Sequence, residues 1–172
     1  MEIVQLNSNA KLSEHFTLGE MTRSNSHPEV YNIPSHEAID NMKRVCEWLE
    51  ELRKRYNEKY VINPSLSSRP SAARGEISEE PIRLNSGYRS PQLNKKIGGV
   101  ATSNHLTGCA VDIRVENMEQ LLRYAVILLD ISRDWHQDFD ELLIEKNRYG
   151  AIWLHFAVRP KDNRRKVCFL SV

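Results

Sequence analysis

The spacing of apolar residues changes midway along the chain, and this change constrains the fold more than any other feature. Between residues 35 and 56, apolar side chains recur every three to four positions, which predicts a long amphipathic helix that begins after Ser35. In the second half, shorter apolar segments predict strands at 109–115, 140–146, 152–158 and 166–172. Helices followed by strands are typical of an α+β fold, here an antiparallel sheet with helices packed on one face.

Length and charge limit the functions open to the chain. Its 172 residues suit a single domain over 1–172, and residues 63–81, rich in Ser, Pro, Arg and Glu, predict a surface insertion. The 24 lysines and arginines balance 23 aspartates and glutamates, which argues against a nucleic-acid partner. We see neither a membrane span nor a secretory signal in the sequence, and therefore expect synthesis in the cytoplasm.

Alternation places two polar side chains on the sheet face opposite the core. Asp112 lies on this face in the strand at 109–115, and His155 lies on it in the strand at 152–158. His105 precedes the Asp112 strand in a loop. Taken singly, a turn histidine or a solvated aspartate is the commoner role. Together, two histidines and a carboxylate suit a catalytic zinc, which takes three protein ligands and one water.

Three motifs in a fixed order sharpen this interpretation. SGYRSPQLNKKIGG occupies residues 86–99, SNHLTGCAVD occupies 103–112, and WLH occupies 153–155. In this order they resemble peptidase family M15, the zinc D-alanyl-D-alanine carboxypeptidases and related endopeptidases, and most of all its phage-endolysin-type members. The family pattern SxHxxGxAxD is matched by the second motif without a gap.

The resemblance implies a fold, a site and a substrate. The fold is the one shared by Hedgehog signalling domains and DD-peptidases, with Zn²⁺ held on the open sheet face by His105, Asp112 and His155. Arg89, from the GYRS motif, is expected to dock a carboxylate of the substrate, and Ser103 to contact substrate or orient a ligand. The implied substrates are peptidoglycan stem peptides or cross-links. A chain made without a secretory signal would reach them as a phage lysin or prophage product after release.

The sequence departs from the family at the general base. Many members carry a carboxylate three residues before the last histidine, but here that position is Ile152, on the core face. A three-residue loop at 148–150 would pair Glu145 with Trp153 and place Glu145 on the face of His155. We therefore predict that Glu145 is the general base.

Two alternatives accompany this prediction. Asp140 lies on the other parity of the same strand, and we expect it to be a structural hydrogen-bonding residue. The missing carboxylate at Ile152 also keeps open a second kind of protein, a Hedgehog-like module that contains zinc but binds peptidoglycan or peptide without cleaving it.

Overall fold

A computed structural model describes residues 7–62 and 78–172, so most of the predicted insertion at 63–81, from 63 to 77, lies outside the described residues. The predicted long helix and the four predicted strands are present, and the described residues contain three further α-helices and one short strand. The helices are α1 (Leu18–Thr22), α2 (His36–Tyr56), α3 (Pro91–Lys96) and α4 (Met118–Trp135). The strands are β1 (Leu84–Ser86), β2 (Ala110–Arg114), β3 (Glu141–Lys146), β4 (Ile152–Ala157) and β5 (Lys166–Ser171).

Polar side chains start the helices where the sequence indicates. The Ser35 hydroxyl accepts a hydrogen bond from the amide of Ala38 at 3.1 Å and begins α2. Asn117 begins α4 in the same way, by accepting from the amide of Gln120 at 2.9 Å. Such caps satisfy amide groups that have no partner inside the helix, which sets the boundaries of both long helices.

The sheet has the strand order β1-β2-β4-β3-β5, and its last strand corrects the prediction. The first three pairings are antiparallel, but β5 runs parallel to β3, so the prediction of a wholly antiparallel sheet was wrong. Because β4 already has neighbours on both sides, β5 pairs with the outer edge of β3 instead of with β4. The chain crosses the start of β3 through residues 158–165 and then continues in the direction of β3.

A buried carboxylate anchors this crossing. Asp140 has no exposed surface, and its carboxylate pairs with Arg164 at 2.6 Å and with Arg159 at 2.9 Å. Both arginines belong to the crossing segment. Asp140 therefore has the structural position expected for it, and the ion pairs hold the crossing segment against the start of β3.

The two faces of the sheet differ as the alternation predicts. Most of the buried apolar residues form one contiguous cluster, in which α2 and α4 cover the inner face of the sheet. Trp48 of α2 lies at its centre, with ring centroids 5.3 Å from Phe156 and 5.2 Å from Trp135. Asp112 and His155 lie on the opposite face. Within the described residues, no helix is long and apolar enough to cross a membrane.

The hairpin between β3 and β4 has the predicted register. Asn147 donates its amide to the carbonyl of Ala151 at 3.0 Å, which leaves a three-residue loop at 148–150. Gly150 has φ +87°, a left-handed conformation that glycine adopts without strain. The register pairs Glu145 with Trp153, so the carboxylate lies on the outer face.

The turn that carries His105 is fastened to α2. It is a short 3₁₀ helix, Asn104–Thr107, and the carbonyl of Thr107 accepts a hydrogen bond from the Asn41 side chain at 2.9 Å. The turn ends at Gly108, with φ +73°, where an added Cβ would lie 2.4 Å from the carbonyl oxygen of Ala38. A glycine at this position lets the turn approach the start of the helix.

We predict that Gly108→Ala destabilises the protein more than Gly150→Ala. Both glycines are left-handed, so each alanine carries a conformational cost of about 1–2 kcal/mol. An alanine at Gly150 meets no atom within 4 Å, whereas one at Gly108 collides with α2 and should cost a further ~1–3 kcal/mol. Urea unfolding of the metal-free proteins measures both costs. Equal losses would show that close approach to α2 does not constrain the turn.

Candidate metal centre

Three side-chain atoms on the outer face form a compact triangle. His155 Nδ1 lies 2.9 Å from Asp112 Oδ1 and 3.3 Å from His105 Nε2, and His105 Nε2 lies 3.3 Å from Asp112 Oδ1. Ligands placed about 2.0–2.2 Å from a tetrahedral zinc are about 3.3–3.5 Å apart, so the triangle has the size of one face of such a site. Within the described residues, these three are the group found able to hold a metal ion.

Strand pairing and one turn bring the three residues together. Asp112 of β2 lies directly opposite His155 of β4 in the antiparallel register, and both side chains point to the outer face. His105 comes from the 3₁₀ turn just before β2. All three are nearly inaccessible to solvent, with 2% exposure for His105, 7% for Asp112 and 6% for His155.

Outer hydrogen bonds decide which atoms face the centre of the triangle. His105 donates a hydrogen bond from Nδ1 to the Gly87 carbonyl at 2.6 Å. This leaves the lone pair of Nε2 available to a metal ion. Asp112 accepts a hydrogen bond from Arg89 Nη2 on Oδ2 at 3.0 Å, which leaves Oδ1 for the metal. Arg89 is itself steadied by Nε, which donates to the Ser86 hydroxyl at 3.0 Å.

Without a metal, a proton on His155 stabilises the cluster. Burial opposes charge, yet the two histidines hold the pKa of Asp112 well below its usual range. Burial lowers the pKa of His105. For His155, burial is outweighed by the hydrogen bond to Asp112 and the close contact with Glu141, which raise its pKa to about 9. A metal ion that binds Nδ1 must therefore displace this proton at neutral pH.

A groove runs past the triangle on both sides. One cavity of about 620 Å³ contains all three ligand candidates and reaches β5, and a second of about 620 Å³ continues toward the loop at 23–26. The two share the lining residues Arg89, Ile97, Asp112 and Trp153. A larger cavity of about 980 Å³ shares no lining residue with either one and lies among the glutamates of α2. The two smaller cavities therefore form one groove that runs across the ligand candidates.

The structure brings the remaining predicted site residues into this groove. Arg89, Ser103 and Glu145 all line the cavity that contains the three ligand candidates. The Ser103 hydroxyl accepts a hydrogen bond from the His105 amide at 3.3 Å and so starts the 3₁₀ turn. Arg89 contacts Asp112, a pairing that the motif did not predict.

Glu145 is half-buried beside Trp153. Its Oε2 accepts a hydrogen bond from the indole Nε1 at 2.5 Å. Burial, together with the negative charge of Asp112, raises the pKa of Glu145 above its ordinary value. A carboxylate with a raised pKa is better able to take up and return a proton near neutral pH.

Glu141 is the carboxylate in the groove that the sequence pattern did not single out. Its Oε2 lies 3.4 Å from His155 Nε2. The close contact with His155, acting against burial, lowers the pKa of Glu141 to about 2. One signal could have found it, because Glu141 has the same strand parity as Glu145 and must share its face once the hairpin register is known.

We predict that the metal-free protein loses stability as pH rises from 6.5 to 9. The folded-state pKa of His155, about 9, lies above its ordinary 6.5, so its proton stabilises the fold fully below pH 6.5. That stabilisation is lost as pH rises through 9. Urea unfolding across this range should show the slope in wild type and in His36→Gln, an exposed control, but not in His155→Gln. An equal slope in all three would contradict the protonated-His155 state.

The model of the family described as Peptidase M15 matches residues 71–128. The matched segment contains Arg89, Ser103, His105 and Asp112, and it ends before His155. No curated protein matches the chain. The match confirms the resemblance to peptidase family M15, a family of metal-dependent peptidases, for the first two motifs, and the third motif at 153–155 lies outside the matched segment.

Proposed function

We propose that the protein is a zinc-dependent metallopeptidase that cleaves peptidoglycan stem peptides or cross-links, as a D-Ala-D-Ala carboxypeptidase or an endopeptidase of the endolysin type. The observation that carries the proposal is the buried triangle of two histidine nitrogens and one aspartate oxygen in the groove. Three such donors with an open fourth position are the ligand set of catalytic zinc sites. The Peptidase M15 match over residues 71–128 supports the same reading.

The fold and the place of action belong to the same proposal. Helices on one sheet face and the ligand triangle on the other agree with a Hedgehog/DD-peptidase-type fold for the chain. A peptidoglycan substrate would put the site of action at the cell wall. We propose that a phage lysin or prophage product of this kind meets its substrate after release from the producing cell.

Glu145 would move the proton during hydrolysis. When bound, the zinc ion would supply Lewis-acid chemistry, lowering the pKa of a water molecule and polarising the scissile carbonyl. Glu145 would accept the proton of the attacking water and deliver it to the leaving amine. Trp153 fixes one of its oxygens, and within the described residues the other oxygen has no hydrogen-bond partner.

Arg89 and Ser103 would position the substrate and the ligands. Arg89 uses Nε and Nη2 on Ser86 and Asp112, and Nη1 remains to dock a carboxylate of the substrate at the wall of the groove. A planar guanidinium can hold both partners at once, which a single ammonium group does less well. The Ser103 hydroxyl, which caps the turn that carries His105, would orient His105 as a metal ligand.

We predict that Glu145→Gln reduces turnover by roughly 10²–10⁴-fold, the usual contribution of general acid–base catalysis. The amide keeps the shape of the side chain but cannot accept the proton, so zinc content should stay at the wild-type value. Digestion of purified peptidoglycan, followed by chromatography of the released fragments, measures turnover. Glu119→Gln removes an exposed carboxylate of α4 and serves as the matched control, with wild-type activity expected.

Two outcomes would contradict parts of the proposal. A zinc-loaded wild type that releases no D-alanine and opens no cross-link, in walls of several chemical types, would reject the peptidase. It would favour the non-catalytic zinc-containing module that binds peptidoglycan or peptide. A fully active Glu145→Gln would keep the enzyme and exclude Glu145 as its base.

We predict that Arg89→Lys, at saturating zinc, lowers kcat/KM by about tenfold or more for a peptide with a free carboxylate. The matched substrate carries a carboxamide at the same position and should be much less affected, because it has no charge for Arg89 to dock. Steady-state kinetics on the two peptides separate the effects. Equal losses on both would show that Arg89 acts only through Asp112.

A further inference from the structure

The outward ring nitrogen of His155 faces a carboxylate, whereas that of His105 faces a carbonyl. His155 Nδ1 belongs to the triangle, so Nε2 points away from it on the far side of the ring. This Nε2 is buried and has no well-directed hydrogen bond in the described residues. The nearest acceptor is Glu141 Oε2, at 3.4 Å. The orientation of the His155 ring therefore depends on Glu141, since a buried N–H needs an acceptor.

Glu141 is held in place from its other sides. Asn104 donates from Nδ2 to Oε2 at 3.0 Å, and Arg164 pairs with Oε1 at 2.9 Å. Lys166 lies 3.6 Å from the same Oε1. The side chain is only 14% exposed. These contacts hold the carboxylate with Oε2 3.4 Å from His155 Nε2.

The same contacts separate Glu141 from Glu145 in function. Both carboxylates line the cavity that contains the ligand candidates, two residues apart on β3. Arg164 and Asn104 occupy the two oxygens of Glu141, which leaves it poorly placed to take a proton from water. Glu145 has one oxygen bound to Trp153 and the other without a partner in the described residues.

We infer that Glu141 is a positioning residue of the metal centre, whose carboxylate accepts the Nε2–H of His155 and directs Nδ1 toward the ion. The inference rests on the proposed zinc site. A carboxylate behind a ligating histidine fixes the protonated ring nitrogen and makes the ligating nitrogen a stronger donor. For His155 this means that the proton stays on Nε2 when the ion takes the place of the proton on Nδ1.

Glu141 also links the two histidine-bearing segments. Asn104 directly precedes His105, and its side chain donates to Asp140 Oδ2 at 2.7 Å as well as to Glu141. The start of β3 thereby contacts the 3₁₀ turn on one side and His155 of β4 on the other. Without the Glu141 carboxylate, we expect the distance between the two imidazole rings and the orientation of the His155 ring to be less well fixed.

The test measures zinc affinity by competition with a chelator, for protein stripped of metal and refilled. We expect Glu141→Ala to weaken zinc binding by about 10–100-fold, the usual effect of losing such a partner. Glu141→Gln should lose less, because its amide oxygen still accepts the Nε2–H although the charge is gone. Asp138→Asn removes an exposed carboxylate paired with Arg165 and should bind zinc as wild type does.

A second readout reports the geometry of the ligands directly. Cobalt(II) at saturating concentration gives visible absorption bands that depend on the arrangement of its ligands. We expect these bands to shift in Glu141→Ala and to return toward wild type in Glu141→Gln. If Glu141 only stabilised the fold, its replacement would change the unfolding midpoint of the metal-free protein, and Glu141→Gln would not restore the cobalt bands. Should Glu141→Ala fail to fold, a zinc-affinity loss in Glu141→Gln alone supports the inference.

Three results would overturn the positioning role. The first is wild-type zinc affinity and wild-type cobalt spectra in Glu141→Gln and in Glu141→Ala, if the latter folds. The second is a loss of zinc affinity in Asp138→Asn as large as that in the Glu141 variants. The third is a wild-type protein that binds no zinc. The last would also reject the proposed function. A wild type that binds zinc without cleaving peptidoglycan would reject the proposed function alone, because the affinity measurements do not depend on activity.

Discussion

The register between β2 and β4 is the constraint on which the rest of the site depends. It places Asp112 directly across from His155, with both side chains on the face that the helices leave open. A slip of one residue would turn one of them toward the apolar cluster, where an unpaired polar group costs several kcal/mol. The apolar side chains beside them, Val111 and Phe156, are fully buried on the other face. The same strand pairing thus determines both the packing of the core and the placement of the two ligand candidates.

A buried cluster of this kind needs charge balance whether or not a metal is present. Asp112 is ionised and nearly inaccessible, and an isolated carboxylate in that position would be strongly destabilising. Arg89 and a protonated His155 supply the compensating charge in the metal-free protein. A divalent cation can replace the proton on His155 without exposing Asp112 to an uncompensated environment. The three side chains therefore face one another before any metal binds, and under the proposed function an ion would meet a preformed site.

The sequence predicts much of this site because strand parity and turn chemistry are local properties. Alternation alone puts Asp112 and His155 on one face, and the glycine at Gly150 determines the hairpin register that brings Glu145 there. The parallel pairing of β5 was not predictable in this way, since alternation does not state which sheet edge a last strand joins. The contact of Arg89 with Asp112 and that of Glu141 with His155 likewise depend on side chains from elements distant in sequence, which no local pattern records.

The environments of Glu141 and Glu145 show how one strand can supply two carboxylates with different chemistry. The contact with His155, with smaller contributions from Asn104 and Arg164, lowers the pKa of Glu141 to about 2, so it stays ionised. Burial and the charge of Asp112 move the pKa of Glu145 in the opposite direction. Separated pKa values on neighbouring groups are a sign of divided acid–base roles. In the proposed mechanism Glu145 would take the place of the carboxylate missing at Ile152 of β4, because it lies across from Trp153 and reaches the same groove from β3.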